Sequence, residues 1–354
     1  MNIEKRIDAF VRLGEILRQM FKDPQSDKPA VLSAAGEKLL EEAGKAVRDN
    51  GWFTPDFVWK ALFALGESLE DKKVRQWISH YDKAKLENRH SQTVGVVMAG
   101  NVPAVGFHDF LSVLISGHRI QARLSSDDKK LMPAMAALLC EIEPGFTERI
   151  SFTEEILKGF DAIIATGSNN TSRYFEYYFG KYPHIIRKNR NGVAVLTGEE
   201  TETQLRALAD DIFLYYGLGC RNVAKLYVPR HYDFQLLLKV LGEQQHMVQN
   251  HKYFNNYEYN KAVFLVNKRS HFDTGNLLLV EEEKMVSPVA VLHYEHYTSP
   301  TALRHHLMVN NEQIQCVVAE ADFLTNTVPF GKSQSPELWD YADGVDTLDF
   351  LLSL

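Results

Sequence analysis

At the start of the chain apolar residues recur every three or four positions, at Ile3, Ile7, Phe10, Leu13, Leu17 and Phe21. That spacing is the stripe of an amphipathic helix that buries one face. The same period continues to residue 90. The stretch LSAAGEKLLEEAGKAVRDNG is expected to end at Gly51, a glycine C-cap, and TPDFVWKALFALGESL to begin at Thr54, an N-cap followed by Pro55 at the first helical position. The pattern predicts a helical N-terminal segment over residues 1–90.

The periodicity then changes. TVGVVMAGNVP, residues 93–103, is a short apolar run bounded by glycine and proline, the mark of a buried strand and its exit loop. Helix-like VGFHDFLSVLISG follows, then strand-like HRIQARLSS, helical DKKLMPAMAALLCEI, and FDAIIATGS, a strand that gives way to a helix at NNTSRYFEYYF. Strands alternating with helices predict a parallel, doubly wound α/β sheet, and in such sheets ligands bind beyond the carboxyl ends of the strands. The loops GNVP, RLSS and TGSNN all fall at such ends, along one rim. Beyond ADDIFLYY a second alternation runs through NVAKLYVP, FQLLLKVLGEQ, AVFLVN, LLLVEEE, VAVLHYE, a helix from Pro300 and CVVAEA, which predicts a second α/β domain. The sequence shows no internal repeat and no low-complexity linker.

Composition narrows the partners. With 354 residues, 45% of them hydrophobic and 24% charged, the chain is long enough for two sizeable cores. A net charge of -7 provides no basic field for a phosphate backbone, which argues against nucleic acid. No apolar run reaches the roughly 18 residues of a membrane span, and the charged N-terminus MNIEKRIDAF lacks a secretory apolar core, so a cytoplasmic protein is expected. His293 with His296, and His305 with His306, lack metal-ligand spacing and read as surface or packing residues, so no metal site is expected.

Three cysteines, Cys140, Cys220 and Cys316, are too far apart for a metal knuckle and suit no disulfide framework. Cys140 in MAALLCEI and Cys316 in QCVVA read as small packing residues. Cys220 differs. It lies in GLGCRN, where Gly217 and Gly219 let the backbone approach a substrate closely and Arg221 stands next to it as a candidate cation. A nucleophilic thiol needs that exposure and positive surroundings.

Strand ends bearing an asparagine, a basic residue and a Gly-Ser turn, followed by a cysteine in a glycine-flanked loop, resemble the aldehyde dehydrogenase superfamily. Residues 91–351 are similar, more closely, to acyl-CoA reductases of the LuxC type, which reduce fatty acyl thioesters to aldehydes with NADPH; VPFGKSQSPELWDYADGVDTLDFL is the most family-specific stretch. The resemblance implies an aldehyde-dehydrogenase-like α/β fold in which a cofactor-binding domain, residues 91–212, precedes a catalytic domain, 213–328, and a tail, 329–354, returns to the site or to a partner subunit. It implies that Cys220 attacks acyl-CoA or an acyl-carrier thioester, while Asn101 and the backbone N–H of Cys220 hold the oxyanion. Arg123 falls where many relatives carry a lysine that binds the cofactor ribose or phosphate. Ser125 and Ser126 share this loop, and Ser126 replaces a glutamate that in NAD-preferring relatives would repel a 2'-phosphate, which favours NADPH; a plain helix cap is the rival reading of these serines. Gly167 and Ser168 are expected to turn their N–H groups to the pyrophosphate, although Ser172 replaces the family's second glycine. KYFNNYEYN, residues 252–260, reads either as an acyl-tunnel lining or as an ordinary loop.

The general base of hydrolytic aldehyde dehydrogenases is missing from its expected place, because no acidic residue lies between Glu176 and Glu199; a carboxylate from elsewhere, Glu283 for instance, is the alternative. An aldehyde dehydrogenase working oxidatively and a non-catalytic nucleotide- or partner-binding descendant are the competing readings. A homo-oligomer is compatible with all three.

Overall fold

The computed structural model describes residues 1–22, 32–87, 90–167 and 169–354. Two compact units emerge: residues 1–188 with 336–354, and residues 189–335.

In the first unit the helical segment forms as its pattern predicts. Helix α1 (Ile3–Phe21) is capped by the Asn2 side chain, α2 (Ala34–Asp49) by Ser33, and α3 (Pro55–Ser68) by Thr54, which accepts from Phe57 N–H; α4 (Asp71–Ile78) and α5 (Lys83–Leu86) follow. Helix α2 stops at Asn50 rather than at Gly51. Asn50 turns extended, and its side-chain amide leaves the helix to hydrogen-bond elsewhere.

Strand β1 (Thr93–Val97), helix α6 (Phe107–Ser116), β2 (Arg119–Arg123), α7 (Leu131–Ile142), β3 (Ile150–Thr153), β4 (Ala162–Thr166), α8 (Asn169–Phe179) and β5 (His184–Arg187) complete the winding. The sheet is wholly parallel, in the order β3-β2-β1-β4-β5. The chain winds outward from β1 through β2 to β3, then returns to β4 and winds the other way. The topological switch therefore falls between β1 and β4, where such sheets open a crevice for ligands.

One apolar core joins this sheet to the N-terminal helices, through Phe10, Leu62, Trp77, Val96, Phe110 and Leu139, among others. The helical segment is thus part of the sheet's own unit. The C-terminal α13 (Thr347–Leu352) adds Leu348 and Leu351 to the same core, and Gln92 Nε2 donates to the carbonyl of Leu354. A buried ion pair locks the assembly: Arg187 donates to both carboxylate oxygens of Asp109, at 2.6 and 2.8 Å, and to Thr347 Oγ1 at 2.9 Å.

The second unit comprises β6 (Asn191–Val195), α9 (Glu202–Phe213), β7 (Val223–Pro229), α10 (Gln235–Gly242), α11 (His251–Val266), β8 (Phe272–Asp273), β9 (Leu278–Glu281), β10 (Val291–Tyr297), α12 (Pro300–Val309) and β11 (Ile314–Val318). Its sheet runs β11-β6-β7-β10-β9-β8, parallel except for the edge strand β8. Because β6 pairs with β7 and β11, residues from 189 onward belong with this unit, upstream of residue 212 where the resemblance implied a boundary. The tail also divides, at 335/336. AVFLVN is no strand. It continues α11, whose register buries Tyr253, Tyr257, Asn260 and Phe264 on one face, so the aromatic run 252–260 is helical as well. Among the described residues no helix is long and apolar enough to cross a membrane.

Candidate active site

The carboxyl ends of β1, β2 and β4 carry the loops expected to receive the cofactor, and the register places these strands side by side. The first two loops touch. A Cβ on Gly100 would lie 2.5 Å from Ser125 Oγ, so only glycine lets GNVP cross RLSS. Two buried polar side chains fasten the crossing. Asn50 Nδ2 donates to the carbonyls of Gly100, at 3.4 Å, and Asp127, at 3.3 Å. Asp128 accepts from Ala104 N–H at 2.8 Å and from Leu131 N–H at 3.4 Å. Burial pushes the Asp128 carboxyl up to about 6, against the pull of its backbone donors. Ala104 has a φ of 54°, a left-handed conformation that a residue with a Cβ holds only at a cost of roughly 1–3 kcal/mol.

On this braced rim Asn101, Arg123 and Ser126 are exposed and Ser125 is half-buried. Arg123 forms no ion pair among the described residues, whereas the neighbouring Lys129 and Lys130 are paired with Glu154 and Asp49. Neither serine caps α7. That helix starts after Lys130 with no side-chain cap of its own, and Asp128 accepts from its first N–H. Ser125 Oγ accepts from Asp127 N–H at 3.2 Å, which shapes the turn. Ser126 and Lys130 border a cleft of about 270 Å³ whose other wall is Ala46, Asp49 and Phe53.

Gly167 ends β4. A Cβ there would lie 2.9 Å from Phe175 Cε2 and 3.0 Å from Thr171 Cβ, so glycine is required for α8 to pack back on its own start. Its N–H donates to the carbonyl of Arg187 at 3.4 Å, extending the ladder to β5. Ser168 lies outside the described residues. An exposed guanidinium and two hydroxyls at the end of β2, with a helix N-terminus after β4, suit the phosphates and ribose of a nicotinamide dinucleotide.

The second unit holds the thiol. Cys220 is exposed, Cys140 half-buried and Cys316 buried, as their settings suggested. Helix α9 ends at Phe213, and Tyr215, Tyr216 and Gly217 then all take left-handed backbone, with φ of 54°, 57° and 74°. Both tyrosines are buried, and Tyr216 packs against Tyr253 with ring centroids 5.4 Å apart. Two such residues store roughly 2–6 kcal/mol of strain, which the surroundings must hold. Asn222 supplies part of that hold. Its Oδ1 accepts from Gly219 N–H at 2.8 Å, and its Nδ2 donates to the carbonyls of Asp211 and Leu214 at 3.0 and 2.9 Å.

Arg221, the candidate cation beside the thiol, also has a structural partner. Its Nε donates to the carbonyl of Ser333 at 2.6 Å, bracing the FGKS turn. Asp211 grips the same turn, accepting from Gly331 N–H at 2.7 Å and Ser333 N–H at 2.9 Å, and burial raises its carboxyl above the ordinary range.

A family model described as acyl-CoA reductase (LuxC) matches residues 16–263. The chain belongs to the LuxC acyl-CoA reductase family. Solved structures carry the same fold at low identity. The LuxC-family chain aligns with aldehyde dehydrogenase 21 from Physcomitrella patens, in complex with succinate, at a TM-score of 0.65 and 10% identity, covering 98% of this chain and 87% of that one. P. syringae AldA, an indole-3-acetaldehyde dehydrogenase solved as a C302A mutant with NAD+ and IAA, gives 0.60 and 14%, with 92% and 74% covered. An acetylating aldehyde dehydrogenase from Geobacillus thermoglucosidasius gives 0.60 and 14%, with 91% and 77% covered. No curated protein sequence matches. The fold is that of aldehyde dehydrogenases, and the family makes this LuxC member an oxidoreductase acting on aldehyde or acyl groups.

Sequence reasoning missed the buried polar supports, Asn50, Asp128, Asp211 and Asn222. Asp211 carried a signal: it falls in the stripe of Leu208, Ile212 and Phe213, where an acid would be buried. Asn222 and Asn50 carried none, because an amide beside a turn reads equally well as exposed.

Proposed function

We propose that this LuxC-family chain reduces a fatty acyl thioester, acyl-CoA or an acyl-carrier conjugate, to the aldehyde with NADPH through an acyl-enzyme on Cys220. The observation that carries the reading is an exposed thiol on a strained loop braced by buried hydrogen bonds, in a chain of this family. Strain held by its surroundings is what a fixed nucleophile requires.

The Cys220 thiolate attacks the thioester carbonyl, forming the S–C bond; the tetrahedral oxyanion collapses and the carrier leaves as its thiolate, which takes up a proton. Asn101 and the Cys220 backbone N–H are the donors assigned to that oxyanion; they stabilise charge without taking it. When bound, the reduced nicotinamide supplies a hydride to the acyl carbon. Breakdown of the resulting thiohemiacetal frees aldehyde and regenerates the Cys220 thiolate. Arg123, with Ser125 and Ser126, is assigned to the adenosine ribose and its 2'-phosphate, and the N-terminus of α8 to the pyrophosphate.

Incubation with a long-chain acyl-CoA alone should add one acyl mass at Cys220, and NADPH should then discharge it as aldehyde. Cys220→Ala should abolish both while leaving NADPH binding intact. Acylation retained in that variant refutes the mechanism, and rapid release of fatty acid without NADPH refutes the reductive direction.

A further inference from the structure

The hydrogen bonds around Cys220 close into a ring within the second unit. Asn222 Nδ2 donates to the carbonyl of Asp211; the Asp211 carboxylate accepts from Gly331 and Ser333; the Ser333 carbonyl accepts from Arg221; and Arg221 stands between Cys220 and Asn222 in the chain. Asn222 also pins the peptides on both sides of Gly219, since its Oδ1 accepts from Gly219 N–H and its own N–H donates to the Gly219 carbonyl at 3.0 Å. The second of them, held by its carbonyl, is the one that leads into Cys220.

Asn222 and Asp211 are 2% and 1% exposed, and the polar atoms described above all have partners. Each side chain spans two segments. Asn222 ties the end of α9 to the nucleophile loop, and Asp211 ties α9 to the turn 331–333. The turn itself needs Gly331 in a left-handed conformation, with φ of 77°, and a Cβ there would lie 3.1 Å from Ala207 Cβ on the same helix. Helix α9 thus acts as the anchor from which both sides of the thiol loop are set.

We propose that Asn222 and Asp211 are positioning residues for the Cys220 thiolate: together they fix the direction of the Gly219–Cys220 peptide and hold the 331–333 turn against Arg221, so that the thiol loop keeps one reactive geometry. The proposal rests on Cys220 being the nucleophile, but alkylation tests it independently of acyl chemistry. The reactivity of a thiolate depends on the fixed dipoles and charges around it, and loosening the ring lets the loop leave the geometry that fixes them.

The test compares the full-length parent with Asn222→Asp, Asp211→Asn and a control, Asp210→Asn, whose side chain is exposed on the same helix. Asn222→Asp removes the donor to the Asp211 and Leu214 carbonyls; Asp211→Asn leaves one acceptor oxygen for two N–H groups. Iodoacetamide labelling of Cys220 is followed by peptide mass across pH, beside kcat and KM for acyl-CoA and thermal unfolding. In both ring variants the limiting labelling rate should fall about tenfold, the pH midpoint should rise, and kcat should fall with KM little changed. The control should match the parent. Should Asn222→Asp not fold, Asp211→Asn carries the comparison. A folded ring variant whose labelling profile coincides with that of the parent overturns the proposal, even if its unfolding temperature has dropped. If the parent labels normally but takes no acyl group from acyl-CoA, the acyl-enzyme reading fails instead.

Discussion

Asp128 makes the stability of the cofactor rim depend on pH, and the size of the effect follows from its burial. Its carboxyl, 8% exposed, is carried from the ordinary 3.8 to about 6. A folded-state value above the unfolded one means that the fold favours the protonated carboxyl. The associated stability is fully present below pH 3.8 and is lost as pH rises through 6. At 1.36 kcal/mol per pH unit the whole loss is on the order of 3 kcal/mol, of which about 2 kcal/mol falls between pH 4.5 and 7.5. Asp128→Asn does not titrate. Its carbonyl oxygen can still accept from Ala104, and its NH₂ faces Leu131 N–H across the longer, 3.4 Å contact, a loss of about 1 kcal/mol that is the same at every pH. The four tryptophans, Trp52, Trp59, Trp77 and Trp339, all lie in the first unit, so urea unfolding followed by their fluorescence reports on that unit alone. The stability of the parent minus that of Asp128→Asn should decrease by about 2 kcal/mol from pH 4.5 to 7.5. A difference that stays flat with pH would show that the carboxylate is well solvated and that the two loops are held together by other means.

Two further perturbations separate the cofactor loop from the core. Ser126→Glu places a carboxylate in the turn assigned to the 2'-phosphate and should move the kcat/KM ratio toward NADH by roughly 1–3 kcal/mol; an unchanged ratio would move the phosphate site elsewhere. Arg187→Met strands the Asp109 carboxylate in the core and should cost roughly 3–5 kcal/mol in the same fluorescence-detected unfolding, with Asp109→Leu added in the double variant recovering most of it; a single-variant cost below about 1 kcal/mol would show that water reaches the pair.

The parts of the fold that were legible in the sequence share one property, a local period. The stripe from Ile3 to Phe21, the Thr54–Pro55 start of α3, and the short apolar runs at 93–97 and 162–166 each bury one face or one strand, so spacing alone identifies them. Helix α11 escaped because its apolar residues surround it. Val263 and Leu265 lie outside the buried face of Tyr253, Tyr257 and Phe264, and the tail of a helix that is apolar on both sides reads as a strand. Among the candidate site segments, the rim loops and the Cys220 loop stand out in the sequence because glycines mark them. The use of Arg221 does not. Its direction is set by the carbonyl of Ser333, more than a hundred residues downstream, and no local pattern encodes a contact of that range.

An acyl-cysteine ends as an aldehyde or as an acid according to whether hydride or activated water reaches its carbonyl first, and the carboxylates around β6 and β7 bear on that race. The segment from Tyr177 to Gly198 contains no acidic residue. Glu200, just beyond β6, is occupied by its own turn, accepting from Thr197 N–H, Thr197 Oγ1 and Gly198 N–H. Glu295 on β10 is paired with the ammonium of Lys225, a fully buried side chain on β7. Glu283 contributes its backbone carbonyl to that same ammonium, at 2.6 Å, which fixes its main chain while its side chain remains exposed. A general base must be both ionised and uncommitted to take a proton from water. Glu200 and Glu295 are committed, and each would have to give up a charge-assisted contact, of about 1.5–3 kcal/mol, before serving water. That penalty alone slows hydrolysis by roughly ten- to a hundredfold relative to a free carboxylate in the same place. The Glu283 carboxylate has no such contact among the described residues, so Glu283→Gln should lower any residual fatty-acid release in the absence of NADPH without altering aldehyde yield in its presence. Fatty-acid release that is unchanged in Glu283→Gln would mean that the slow hydrolysis uses unassisted water.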